Sequence, residues 1–335
     1  MSSQKNKVIL LGSLAYDYIM GFNEKFTNAV SIDHEKEEYQ STVTANSRIQ
    51  HFGGTAGNIA YNLGMINVGE ASLIGSVGED FENLGYKSHM EFFENIDLAL
   101  DVHKDDYTAA CYIVNDVKAN QMIIFHGGAL DRCKDIDLKE KITDPEHYSY
   151  AINSTQGVDA MINFSTQLHE MGIPIIFDPG QVTPLFSKNQ LLAELNKSQI
   201  LIGNFFEIKQ IKEKLSFTED DLLDHVDAII TTKGEMGSQL NYKDAQGKKY
   251  EIDIPICDPD KIEDTTGAGD GYRAGILSGL MLGMTLLDSC RLGSVIASFV
   301  IETVGAQTQS YTLTSIRKRF VSVYGYTPKE LEGLK

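Results

Sequence analysis

Asp264-Thr265-Thr266-Gly267-Ala268-Gly269-Asp270 sets a glycine turn directly before Gly271-Tyr272-Arg273-Ala274-Gly275-Ile276-Leu277-Ser278-Gly279-Leu280-Met281-Leu282-Gly283. The second run reads as a helix, with glycine at every fourth position from Gly271, the spacing of a face that packs closely on a neighbour. Gly267 to Gly269 would then form its N-terminus, where N–H groups lack intrahelical partners and the macrodipole is positive. Such an end attracts phosphate. A carboxylate is out of place beside a phosphate unless it does chemistry there. Accepting the proton of a hydroxyl that attacks the phosphate is the obvious task for Asp270. A plainer alternative stands beside this one, since glycine turns and Asp are also ordinary helix-start devices. Two nucleotide fingerprints are excluded: the third glycine of a dinucleotide pattern falls on Tyr272, and no Gly-Lys-Ser/Thr run exists.

The chain has 335 residues with 29 Lys and Arg against 47 Asp and Glu, a formal net charge of −18. That balance repels nucleic acid and anionic membranes, so neither is expected as a partner. A nucleotide would enter as its metal complex. Cys111, Cys133, Cys257 and Cys290 show neither metal-ligand spacing nor a disulfide framework, which fits a reducing cytoplasm. The N-terminal apolar run is only as long as a strand, too short for a signal peptide. The stretch from Ile276 to Val304 is interrupted by Asp288 and Arg291 and reads as two buried helices.

Apolar runs at 8–12, 71–74, 173–177, 200–202 and 228–231 read as buried strands separated by helical-period segments. This alternation predicts an α/β fold with a mostly parallel sheet covered by helices on both faces. Helices are expected at 55–67, 81–95, 155–171, 204–214, 218–226, 267–282, 285–302 and 313–324. Residues 19–50 and 98–125 break the rhythm, with period-two alternation in places, and predict a small separate β lid over the strand ends. The large domain is expected to comprise 1–18, 51–97 and 126–335.

The Asp264–Asp270 run resembles a signature of the ribokinase/PfkB carbohydrate and nucleoside kinases, with Tyr272 in place of the usual Phe. A second signature of that family, Gly53-Gly54-Thr55-Ala56-Gly57-Asn58, lies upstream in the right order. The resemblance implies a ribokinase-like three-layer sandwich with a β lid that in many members also forms a homodimer interface. It implies ATP and Mg²⁺, with K⁺ as a further ion. Asp270 would be the base, and the N–H groups of Gly267, Ala268 and Gly269 the anion hole. Asp17, after the first strand, with Gly53, Gly54 and Asn58 would grip a sugar. Without the resemblance Asp17 reads first as a solvated turn residue. Asn204 and Glu207 would organise Mg²⁺ near the nucleotide, although helix capping alone accounts for that pair. Thr232 and Gly234 would belong to the ATP loop, and Asp264, Thr266 and Gly305 would enclose K⁺.

The spacing of Gly12–Asp17, Gly53-Gly54, Phe125–Leu130, Phe177–Gln181 and Glu302–Gly305 looks most like bacterial adenosine kinases within that family. The implied reaction is transfer of the ATP γ-phosphate to the adenosine 5′-hydroxyl. Ser13 would meet the ribose, Gln181 would lie near the nucleoside, and Ser41 would belong to the lid. Where those enzymes stack an aromatic on adenine, this chain has Cys111, leaving Phe125 as the stacking ring. The alternatives are a kinase for another nucleoside or a sugar, and a catalytically silent nucleoside sensor.

Overall fold

The computed structural model describes residues 6–33, 38–118 and 120–334, the side chains of 30–41 excepted. Its strands are β1 (Lys7–Leu11), β2 (Ala15–Phe22), β3 (Val30–Asp33), β4 (Glu38–Ser41), β5 (Ala45–Gly53), β6 (Glu70–Gly78), β7 (Ile96–His103), β8 (Ala109–Asn115), β9 (Gln121–His126), β10 (Tyr148–Ser154), β11 (Ile175–Asp178), β12 (Ile200–Asn204), β13 (Ala228–Thr232), β14 (Ser238–Lys243) and β15 (Lys249–Ile254). Nine of them form one sheet in the order β15-β14-β13-β12-β11-β10-β1-β6-β7. The pairings from β13 to β7 are parallel, and β14 and β15 add an antiparallel edge.

Alternate residues of β1 explain the layers. Val8 and Leu10 pack with the helices Thr55–Ile66 and Ala268–Met281, whereas Ile9 and Leu11 face the Val158–Glu170 helix and the turn at Gly128–Asp135. A sheet buried on both faces requires such continuous apolar strands. The expected three-layer α/β sandwich is therefore present.

The Ala268–Met281 helix lies against Leu286–Val300 because glycines let the backbones meet. A Cβ on Gly275 would fall 2.6 Å from the Gly293 Cα, and one on Gly279 would fall 2.5 Å from the Ser289 Oγ. The fourfold glycine spacing in the sequence is thus a packing face. It fixes the helix whose N-terminus carries Asp270.

A second sheet has the order β5-β2-β8-β9. Its strands do not follow the expected bounds: β5 runs on to Gly53 and β9 to His126. Residues 98–103 belong to β7, paired with β6 at the edge of the large sheet, and β2 already enters the small sheet at Ala15. Alternation in β7 reflects an edge strand covered on one face. The helix expected over 81–95 is two short ones, Asp80–Asn83 and Tyr86–Met90, divided at Gly85 with φ 85°. Among the described residues, no helix is long and apolar enough to cross a membrane.

Candidate active site

Polar residues gather at the C-terminal ends of the parallel strands, where open α/β sheets bind ligands. Gly12 and Ser13 follow β1, Asp178 ends β11, Asn204 ends β12 and Thr232 ends β13. Above them stands the N-terminus of Ala268–Met281. Gly267 caps it with φ 80°, and a Cβ there would lie 2.5 Å from that of Ala306, so both backbone shape and packing demand glycine.

Of the three expected anion-hole amides, Ala268 N–H turns back onto the Thr265 carbonyl at 3.3 Å. A turn bond thus engages the middle amide. Gly269 and Asp270 lie in the first helical turn, where N–H groups have no intrahelical acceptor. Arg273, one turn on, donates to the Gly269 carbonyl at 2.9 Å and forks onto Asp178 at 2.5 and 2.6 Å. This buried pair ties the tip of β11 to the anion-binding turn. Sequence reasoning assigned neither residue a role, since the pairing spans 95 positions.

Asp270 accepts a hydrogen bond from the Asn58 side-chain amide at 2.8 Å. Burial pushes its carboxyl up to about 6 against the attraction of Arg273 and the Asn58 donor, with Asp178 and Asp17 adding repulsion. Asp17 is likewise raised to about 6 by burial. It occupies space that a side chain at Gly53 would fill, since a Cβ there would lie 2.3 Å from the Asp17 Oδ2. Gly54 turns the chain into the Thr55 helix with φ 87°, pressed against the Ser13 carbonyl. The structure therefore brings Asp17, Gly53, Gly54, Asn58 and Asp270 together from two strands of the small sheet and two helices.

Ser13 is engaged locally. Its Oγ accepts from Thr55 N–H at 3.0 Å and lies 3.1 Å from Thr55 Oγ1, while its carbonyl accepts from Ala56 N–H at 3.0 Å. It holds the start of the Thr55 helix against β1.

Asn204 and Glu207 form a reciprocal capping box on the Phe205–Leu215 helix: Asn204 Oδ1 accepts from Phe206 and Glu207 N–H, and Glu207 Oε2 accepts from Asn204 N–H at 2.7 Å. The capping alternative is thus realised, yet burial raises the Glu207 carboxyl and Arg273 lies within its field. Thr232 pairs in register with Asn204, and Gly234 has φ 60° with open space where a side chain would stand. Asp264 joins two loops, accepting from Thr266 N–H at 2.9 Å and Gly305 N–H at 3.0 Å. Gln181 is exposed in the Gly180–Leu185 turn. Ser41 ends β4, and its side chain lies outside the described residues.

Across the small sheet, His51, Asp17, Cys111 and Phe125 pair successively in register, so one face presents them as a row. The next row on that face is Ile49, Ile19, Ile113 and Ile123. Phe125 is 55% exposed and Cys111 half-buried beside it.

Comparison with known proteins bears on this arrangement. The profile of the pfkB family carbohydrate kinases matches residues 20–313. A nucleoside kinase of Methanocaldococcus jannaschii is 31% identical over 95% of this chain and 98% of its own length. The crystal structure of the nucleoside kinase from that organism superposes with a TM-score of 0.82 at 29% identity, covering 95% of this chain and 98% of that one. A Burkholderia thailandensis nucleoside kinase in complex with inosine gives a TM-score of 0.79 at 30% identity, covering 96% of this chain and 99% of that one. With a glycine-built helix N-terminus, a carboxylate beside it and a matching profile over most of its length, this chain belongs to the pfkB family of carbohydrate kinases.

Proposed function

We propose that this protein is a purine nucleoside kinase that transfers the γ-phosphate of MgATP to the nucleoside 5′-hydroxyl, with adenosine and inosine as acceptors. One observation carries the reading: Asp270, at a helix N-terminus, accepts from Asn58 on the helix that follows Gly53-Gly54, and Asp17, on β2 of the small sheet, lies against Gly53. A phosphate end and a hydroxyl-binding end thus share one cleft. The nucleoside kinases similar to this chain, one of them bound to inosine, favour a nucleoside over a free sugar.

In this reading Asp17 accepts hydrogen bonds from the vicinal ribose hydroxyls, between Gly53-Gly54 and the half-buried end of β2. The base then extends along the row of Cys111 and Phe125, where Phe125 offers a stacking face worth about 1–3 kcal/mol. Asp270, ionised above about pH 6, removes the 5′-hydroxyl proton as the oxygen attacks in line. The N–H groups of Gly267 and Gly269 stabilise charge on the transferred phosphoryl group. ATP lies along Asn204, Thr232 and Gly234.

Glu207 keeps Oε1 outside its capping bond, and a half-buried carboxylate that gives up hydration suits a cation. It fits Mg²⁺, held with Asn204 and water against the phosphates, where the metal would neutralise phosphate charge. Asp264, Thr266 and Gly305 meet at one point and fit K⁺ through the remaining carboxylate lone pairs and loop carbonyls. Replacing K⁺ by Na⁺ in the assay tests that ion. The small sheet serves as the lid, and its isoleucine row, with Ile49 51% and Ile123 56% exposed, pairs with a second copy. Light scattering of the purified protein would show a monomer if that pairing is wrong. The four free thiols suit work in the cytoplasm.

An acceptor panel with MgATP tests the reading. Adenosine and inosine are expected to release ADP stoichiometrically with nucleoside monophosphate. Turnover confined to ribose or fructose 6-phosphate, or none at all, would overturn it.

A further inference from the structure

Gln307 lies on the loop after Leu286–Val300, buried and 249 positions from Asn58 in sequence, yet its Nε2 donates to Asn58 Oδ1 at 2.9 Å and to the Tyr86 hydroxyl at 2.7 Å. Tyr86 in turn donates to the Gly53 carbonyl at 2.7 Å. The chain has a forced direction. Burial keeps the Tyr86 phenol protonated, and its one proton goes to Gly53, so its oxygen must accept from Gln307. Both protons of the Gln307 amide are then spent, one on each arm.

The Asn58 end follows the same logic. Because its Oδ1 receives the Gln307 proton, its Nδ2 must face Asp270, to which it donates at 2.8 Å. A flipped Asn58 would set an amide oxygen against a carboxylate. One buried glutamine therefore decides which atom of Asn58 meets the base and where the Gly53-Gly54 turn sits.

Gln309, two residues on, provides the contrast. Its Nε2 bonds Asn62 Oδ1 at 2.9 Å and the Ala306 carbonyl at 3.1 Å, and Asn62 is further held by the Tyr311 hydroxyl at 2.8 Å. That rung joins the same loop to the same helix one turn away and reaches neither Asp270 nor Gly53. Gln307 differs in another respect: its Oε1 is buried without a partner, as is the His89 Nε2. His89 is stacked on Tyr61 with ring centroids 5.2 Å apart.

We propose that Gln307 is a positioning residue for phosphoryl transfer, orienting the Asn58 amide toward Asp270 and, through Tyr86, fixing the Gly53-Gly54 turn beside Asp17. This rests on the nucleoside kinase reading above. The groups that face Asp270 are Arg273 on its own helix, Asp178 at the end of β11, Asp17 on β2 and Asn58 on the Thr55 helix. Of these, only the Asn58 contact depends on Gln307, so the effect of removing it has one sign: the Asp270 carboxylate loses a donor and holds its proton to higher pH.

Gln307→Met keeps the volume and removes both donors, and Gln309→Met removes an equally buried amide as the control. The expected result for Gln307→Met is an acid limb of kcat/KM moved upward by roughly one pH unit, a tenfold loss of rate below the limb, with acceptor KM raised and ATP KM unchanged. Gln309→Met should lower Tm without moving the limb. Carboxylate ¹³C NMR of the Asp-labelled protein, with Asp270→Asn for assignment, reads the same Asp270 shift without turnover. If the wild-type protein phosphorylates no nucleoside, the kinase reading fails while the NMR titration still decides on Gln307. An unmoved Asp270 titration in Gln307→Met, or an equal shift in Gln309→Met, overturns the proposal.

Discussion

Asp270→Asn should abolish turnover and make the protein more stable. Asp270 has a carboxyl raised from 3.8 to about 6, mainly by burial. A shift of about two units means that holding the carboxylate ionised at pH 7 costs about 3 kcal/mol of folding free energy. The folded value lies above the unfolded one, so the folded protein binds the extra proton between about pH 4 and pH 6. The contribution to stability is full below the unfolded value and is lost as pH rises through about 6. Asparagine carries no charge, can still accept from Asn58, and relieves the repulsion with Asp17 and Asp178. At pH 7.5 the variant should gain about 1–3 kcal/mol, a rise in Tm of about 2–4 °C for a chain of this length. The gap should close as pH falls toward 4, because the wild-type carboxyl becomes neutral too. Scanning calorimetry across that pH range measures the gap, and coupled ADP release should show a rate loss of roughly 10²–10⁴-fold. Near-wild-type turnover, or a variant less stable at every pH, would refute the view of Asp270 as a base held ionised against its surroundings.

Gly267→Ala should lower stability by about 2–5 kcal/mol in urea unfolding, because a side chain at φ 80° adds backbone strain and its Cβ meets Ala306 at 2.5 Å. Turnover should fall with it as the anion-binding turn shifts. Arg273→Met strands the buried Asp178 carboxylate, with an expected loss of about 3–5 kcal/mol by the same measurement. Adding Asp178→Leu should recover most of that loss, while activity stays low because the Gly269 carbonyl is no longer held.

What the sequence disclosed follows from the range of the interactions involved. The glycine spacing from Gly271 to Gly279 is a local pattern with a direct packing consequence, and it placed the helix that carries Asp270. The apolar runs of β1, β12 and β13 are continuous because the sheet is buried on both faces, so they too were readable. β10 escaped notice although it is central, since Asn153 and Ser154 interrupt its apolar pattern. Both are fully buried and satisfied by groups on other elements, Asn153 by the Met161 carbonyl and Ser154 by that of Leu11. The Lys188–Lys197 helix was passed over despite a local signal, the capping box of Ser187 and Gln190. At Gly85 a glycine ended a helical period that the apolar pattern alone would have carried through to 95.

The candidate site divides in the same way. Asp270, Asn58 and Gly53-Gly54 stand in motifs with a recognisable spacing. Arg273, Asp178 and Gln307 act through partners 95 to 249 positions away, and nothing in their own neighbourhoods announces it. Ser13, which the resemblance sets against the ribose, has its hydroxyl bonded to the start of the next helix.

Phosphorus NMR of the product tests the central claim most directly. With MgATP and adenosine or inosine, the account predicts a phosphomonoester signal split into a triplet by the two 5′ protons, appearing together with ADP and absent with Asp270→Asn. A doublet from a secondary hydroxyl, a product formed only from free sugars, or inorganic phosphate alone would contradict it.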